Sequence, residues 1–301
     1  MERIEHKQPA QNRPAALRQT AGRPPKTAGP TRPNAFTLIE LLVVIAILAL
    51  LMSILVSSLS KARRQAYFVI CNANLYNYGL ATYMYLDDNQ QVFPFALTCV
   101  YSRSTFTSDH PAACRWHDAQ VQPDGPLWPY MAAKDVNRCP EFASIARRIG
   151  ADHPYHDSRI PIEPQFTYSM NGYLSAGDAI SPLNNPEQMV KMSQVKRPAG
   201  TLFFAEENIW ITHQNNTPPD EISLNSEALN DMYFYPRQYG YGDCIATFHK
   251  ASDPKRLTGL SNVLFIDGHV SAEKAFDETD WNRGYSNKSY NLCVNHEFRK
   301  F

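Results

Sequence analysis

Residues 36–59 form an apolar stretch of 24 residues whose single charge is Glu40, and residues 41–52 within it carry no polar side chain at all. As a helix the stretch is roughly 36 Å long, enough for a bilayer core of about 30 Å. A buried helix of a soluble domain needs neither this length nor this uniformity. A carboxylate near one end of a membrane-length helix is costly, so Glu40 needs a partner or a purpose.

The residues before the stretch are of another kind. Residues 1–34 hold seven Lys/Arg against Glu2 and Glu5, a net +5, together with six prolines and several Gly, Gln and Thr. Such a segment cannot bury enough apolar surface to pack, and its charge favours a cytoplasmic amino terminus. Lys61, Arg63 and Arg64 on the far side are fewer and oppose this weakly. The remaining chain is therefore expected in the periplasm or outside the cell, anchored in the inner membrane by one pass.

At the junction stands Asn34-Ala35-Phe36-Thr37-Leu38-Ile39-Glu40. This resembles the processing site of the type IV prepilin and type II secretion pseudopilin family. The resemblance implies that a prepilin peptidase cuts between Ala35 and Phe36 and that the new amino terminus is methylated. It also implies that Glu40 pairs with the amino terminus of a neighbouring subunit during assembly through the amino-terminal helix. The family usually has Gly before the cut; this chain has Ala35, the next smallest residue. An ordinary secretory signal would place its small-residue site after a short apolar core, whereas here the apolar run survives processing. An uncut signal anchor is the competing reading.

The helix is expected to continue beyond the membrane. Residues 61–88 lack proline, and Ala66, Ile70, Ala73, Leu80 and Met84 recur at helical spacing with Asn77 in the same row. Gly79 weakens it by about 1 kcal/mol relative to Ala, and Asp87-Asp88-Asn89 with Pro94 end it. The family implies an α+β fold, a long helix packed on a small, mainly antiparallel sheet with long loops. The organisation expected is a disordered basic leader at 1–35, a transmembrane helix at 36–60 and an exported domain at 61–301. Cys71 to Ala81, with Tyr83-Met84-Tyr85 and Asp87-Asp88-Asn89 following, is similar to one branch, the large planctomycete-type prepilin-like proteins.

Residues 95–165 show little periodicity and read as loops with short elements, including the turn Arg138-Cys139-Pro140-Glu141. A short strand at 166–173 runs into an Asn-Gly turn, and 201–205 is a second strand with Glu206-Glu207 after it. The clearest hairpin is 262–270, where Asp267-Gly268 predicts a two-residue type I′ turn. The branch carries a His, nine intervening residues and then this Asp-Gly. Position 257 is Leu257, and the nearest upstream histidine, His249, has 17 residues between it and Asp267. The His half is thus displaced or replaced.

Six cysteines, Cys71, Cys99, Cys114, Cys139, Cys244 and Cys293, read first as disulfides in an exported domain. The pairing expected is Cys71–Cys139, Cys99–Cys114 and Cys244–Cys293. No Cys-x-x-Cys occurs, which gives a zinc knuckle or thioredoxin-like site little support.

His249, Asp267 and His269 can be drawn as a metal or acid–base cluster, against the plainer reading that Asp267 and Gly268 serve a turn. Asp87 and Asp88 can likewise be drawn around a structural Ca²⁺, against a solvated helix end. No hydrolase, phosphate-loop or dinucleotide signature is present, so no catalytic residue, enzyme activity or further cofactor is expected. Removing the leader's seven from 29 Lys/Arg leaves 22, and its two from 29 Asp/Glu leaves 27, about −5 for the rest. A chain of that sign lacks the basic stripe of a nucleic-acid binder. The leading reading is a pilin-like filament subunit; the alternatives are a surface-tethered binding protein that does not polymerise, and a tethered metal-dependent hydrolase.

Overall fold

The computed structural model describes residues 37–101, 123–131, 133–149, 162, 164, 166–174, 188–208, 232–237, 242–251, 258–277 and 286–294. The chain divides into two compact units, Met1–Ser53 and Ile54–Phe301.

Helix α1, Leu38–Asp88, is 51 residues long. In the first unit every described side chain is exposed. The hydroxyls of Ser53, Ser57, Ser58 and Ser60 donate to carbonyls one turn back, at 2.8–3.0 Å. Each polar group in this part of the helix is thereby satisfied without leaving it. The helix ends where Asp87-Asp88-Asn89 predicted. Gln90 and Gln91 both take positive φ, Asn89 Nδ2 donates to Tyr85 O, and Gln91 N donates to Leu86 O. Left-handed residues past a helix satisfy its last carbonyls in this way.

The second unit is an α+β body around a five-stranded sheet ordered β3-β1-β2-β4-β5. Its strands are β1 (Tyr168–Asn171), β2 (Leu202–Glu206), β3 (Tyr233–Phe234), β4 (Leu260–Phe265) and β5 (Val270–Lys274). All neighbouring pairs are antiparallel except β1 with β3. A short pair, β6 (Phe276–Asp277) and β7 (Ser286–Asn287), precedes helix α3 (Lys288–Cys293).

The carboxy-terminal half of α1 packs on this sheet, as expected, but with a different face. Ala66, Ile70, Ala73, Leu80 and Met84 are all exposed, and Asn77 is half-buried. The buried positions are Cys71, Asn74, Leu75, Tyr78, Gly79, Ala81, Thr82 and Leu86. Tyr78 lies 5.0 Å from Phe204 and 5.4 Å from Tyr168, ring centre to ring centre, and its hydroxyl donates to Asn137 Oδ1 at 2.8 Å. Gly79 faces Leu264 of β4, so closely that a Cβ would sit 3.3 Å from the leucine methyls. The glycine that weakens the helix locally permits its close approach to the sheet. A register shift between Leu202 and Phe204 lets both Phe203 and Phe204 meet tyrosines of α1.

Two other expectations are corrected. Arg138-Cys139-Pro140-Glu141 is not an isolated turn but the start of helix α2, Pro140–Ile149. Pro140 takes the first helical position, Glu141 lies in the first turn, and Arg147 and Arg148 lie in the last, all favourable placements. The β4–β5 hairpin forms, but its turn is not type I′, which needs positive φ at both central residues. Only Gly268 has positive φ, at 91°, and Gly268 N bonds Phe265 O while Phe265 N bonds His269 O. This is the three-residue loop in which a turn is followed by a positive-φ glycine. Ile266, the first residue of the loop, accepts a hydrogen bond at its carbonyl from the Tyr83 hydroxyl of α1.

Candidate functional site

Two places carry polar chemistry that the fold alone does not demand. The first is the start of α1. Glu40 Oε2 accepts from the Thr37 N–H at 2.9 Å and the Thr37 hydroxyl at 2.8 Å, and Thr37 Oγ1 accepts from the Glu40 N–H at 3.2 Å. This is a reciprocal capping box, written in the sequence as Thr37-Leu38-Ile39-Glu40. Both bonds from Thr37 end on the same oxygen of an exposed carboxylate. Ala35 and Phe36, the expected cut, lie outside the described residues.

The second place is buried in the body, where four elements converge. Cys71 comes from the middle of α1, Cys139 from the residue before α2, Glu206 from the last position of β2, and His249 from the segment beside β4. Their ligand atoms all lie within 4.8 Å of one another, and every one of the four residues is buried. Cys71 Sγ and Cys139 Sγ are 2.7 Å apart. His249 Nε2 lies 3.4 Å from Cys139 Sγ and 2.8 Å from Glu206 Oε1.

Local sequence explains each placement. Pro140 opens α2 and leaves Cys139 at its amino-terminal end, where the Phe142 N–H points at Cys139 Sγ at 3.5 Å. The Cys139 N–H itself donates to Thr167 Oγ1 at 3.0 Å. Glu206 closes a strand that is otherwise wholly apolar, and its Oε2 accepts from the Asn262 N–H at 3.0 Å. His249 exchanges both backbone hydrogen bonds with Leu260 at the foot of β4. Gly259 makes that possible, since a Cβ there would lie 1.9 Å from Thr247 O and 2.4 Å from His249 O.

The bridge to Leu260 thus brings His249 to the base of the hairpin strand despite the longer spacing to Asp267. Leu257 lies outside the described residues.

Burial and charge compete at these groups. Burial raises the Glu206 carboxyl, but the His249 imidazole and the Asn262 N–H outweigh it and hold it below the ordinary carboxylate range. Burial lowers His249, yet the Glu206 charge prevails and lifts it to about 10. Burial pushes the Cys139 thiol well above its usual range. An ion pair of this kind, fully out of water, carries a desolvation cost of several kcal/mol per charge.

The other residues singled out in the sequence stand apart. His269 Nδ1 contacts Asp267 Oδ1 at 2.5 Å and the ring stacks on Phe265, but both polar side chains are substantially exposed at the hairpin tip. Of the expected trio, His249 joins the buried cluster and Asp267 and His269 do not. Asp88 accepts from the Tyr130 hydroxyl at 2.8 Å, and it and Asp87 are exposed at the helix end. Cys71, Cys99, Cys139, Cys244 and Cys293 are buried, with no disulfide joining any two of them, and Cys114 lies outside the described residues. Glu206 was missed by sequence reasoning; its one signal is a carboxylate attached without a break to the apolar run Leu202-Phe203-Phe204-Ala205.

Residues 31–56 match the model of the prokaryotic N-terminal methylation motif. The chain matches no curated protein and no solved structure. Among the described residues α1 is the one helix long and apolar enough to cross a membrane. The motif and the apolar helix together fit a prepilin-type signal joined to a helix long and apolar enough to cross a membrane.

Proposed function

We propose that the chain is a prepilin, cut by prepilin peptidase between Ala35 and Phe36, methylated, and assembled into a type IV pilus or type II secretion pseudopilus. Its basic leader lies in the cytoplasm before cutting, its anchor in the inner membrane, and its body in the periplasm or outside. It acts by packing rather than by catalysis. The observation that carries the reading is the methylation motif joined directly to an exposed apolar helix.

The chemistry of assembly follows from position. Cutting before Phe36 creates a positive amino group one residue ahead of the Thr37 cap. In a low-dielectric layer, that group and the Glu40 carboxylate of a neighbouring copy attract strongly at one axial offset and weakly at others. The outward apolar row Ala66, Ile70, Ala73, Leu80 and Met84, at spacings of three and four with Asn77 between, offers adjacent subunits a continuation of the packing seam.

Single cysteines placed along residues 43–59 and crosslinked in cells test the reading. A filament subunit gives ladders of several copies. Monomers alone, on a chain correctly cut at Phe36, would leave the surface-tethered reading and remove this one.

A further inference from the structure

We propose that Cys71, Cys139, Glu206 and His249 bind one zinc ion in a closed, structural site that clamps α1 to α2 and to the sheet. Two thiolates, an imidazole and a single carboxylate are a donor set suited to four-coordinate zinc. Thiolates disfavour calcium and magnesium, which take oxygen ligands.

Geometry supports the assignment. Around a tetrahedral zinc with bonds of ~2.0–2.3 Å, ligand atoms lie about 3.3–3.8 Å from one another. The Cys139 Sγ–His249 Nε2 separation of 3.4 Å already falls in that range. The sulfur–sulfur and imidazole–carboxylate separations, 2.7 and 2.8 Å, open by up to about 1 Å around the ion. The surrounding bonds are those a metal centre needs. Asn262 N–H fixes Glu206 through Oε2 and leaves Oε1 directed inward, while the Phe142 N–H supports the Cys139 sulfur. All four ligands are buried, so no position is left open to water or substrate; the ion would hold structure and not perform hydrolysis.

Two simpler occupants of the same space explain less. A Cys71–Cys139 disulfide would use the sulfurs and leave Glu206 and His249 as a buried charge pair facing a neutral bridge. Two protonated thiols beside that pair would leave the convergence of both sulfurs on Nε2 without a role. Zinc uses all four groups. On binding, each thiol releases its proton and the imidazolium releases one from Nε2, three protons per ion. The inference holds whether or not the chain polymerises.

The test uses the full chain, purified in detergent without added reductant or chelator. Metal analysis is expected to find about one zinc per chain, and X-ray absorption to find two sulfur and two nitrogen or oxygen neighbours. Chelation should then expose Cys71 and Cys139 to alkylation, and returning zinc should protect them. His249→Cys is expected to keep the ion with a third sulfur neighbour, which distinguishes a ligand from a merely buried histidine. A folded wild-type chain that takes up no zinc when it is supplied, a different metal on these ligands, or a Cys71–Cys139 disulfide in the native protein would each overturn the proposal.

Discussion

Thr37 and Glu40 cap the amino terminus of α1 reciprocally, each accepting a hydrogen bond from the other's backbone N–H. The carboxylate proposed to grip a neighbouring subunit is therefore also a local helix-stabilising group, and substitutions can separate the two roles. Glutamine serves the third position of a capping box as well as glutamate does. Glu40→Gln should keep the cap and lose the charge. Both Glu40→Gln and Glu40→Ala are expected to be cut and methylated normally and to enter filaments at least tenfold less, since a loss of about 1.4 kcal/mol per subunit suffices. Thr37→Ala, which loses about 1 kcal/mol of capping but keeps the charge, should still assemble. Quantifying sheared filaments checks all three, and normal assembly of Glu40→Gln would assign Glu40 to the cap alone.

The outward and inward faces of α1 should respond differently to mutation. Phe204 is fully buried against Tyr78 and Phe203, so Phe204→Ala should destabilise the body by about 3–5 kcal/mol. Leu80 and Met84 are 47% and 56% exposed, and changing both to Ser should move stability by no more than about 0.5 kcal/mol each. Filament incorporation should nonetheless fall for the double variant. Thermal melts in detergent, set beside filament yield, separate a folding defect from a packing defect.

Gly259 lets the His249 segment lie against β4. Because an added Cβ would strike two backbone carbonyls, which cannot swing aside like side chains, Gly259→Ala must displace the segment. Overpacking of this kind costs about 1–3 kcal/mol. The expected result is a lower melting temperature together with faster loss of bound zinc to a chelator. Gly79→Ala is the contrast, because its neighbour is the flexible end of Leu264 and Ala gains about 1 kcal/mol of helix propensity. That variant should melt within about 1 kcal/mol of the parent.

Elements with strong local signals were legible in the sequence. The membrane-length run, the helix end at Asp87-Asp88-Asn89, the strands around 168, 202 and 260, and the hairpin at Asp267-Gly268 all depend on neighbours a few residues apart. The packing face of α1 was not. Its carboxy-terminal half is apolar on one side and rich in Tyr, Asn, Thr, Gly and Cys on the other, and the sheet takes the second. Small and hydrogen-bonding residues win there because Tyr78, Asn74 and Cys71 find partners in Asn137, Arg138 and Cys139. The turn type failed because Tyr83 of α1 bonds the carbonyl of Ile266 within the loop, a contact no local pattern encodes. The buried cluster was the least legible feature. Its members lie 68 residues apart for the two sulfurs, 110 for Cys139 and His249, and 43 for Glu206 and His249, so no short ligand spacing marks it.

The most direct test of the filament account is amino-terminal mass spectrometry of the protein taken from its native membrane. The mature chain is expected to begin with N-methylated Phe36. A mature chain that retains residues 1–35 would contradict it, because Glu40 would then have no neighbouring amino terminus to hold.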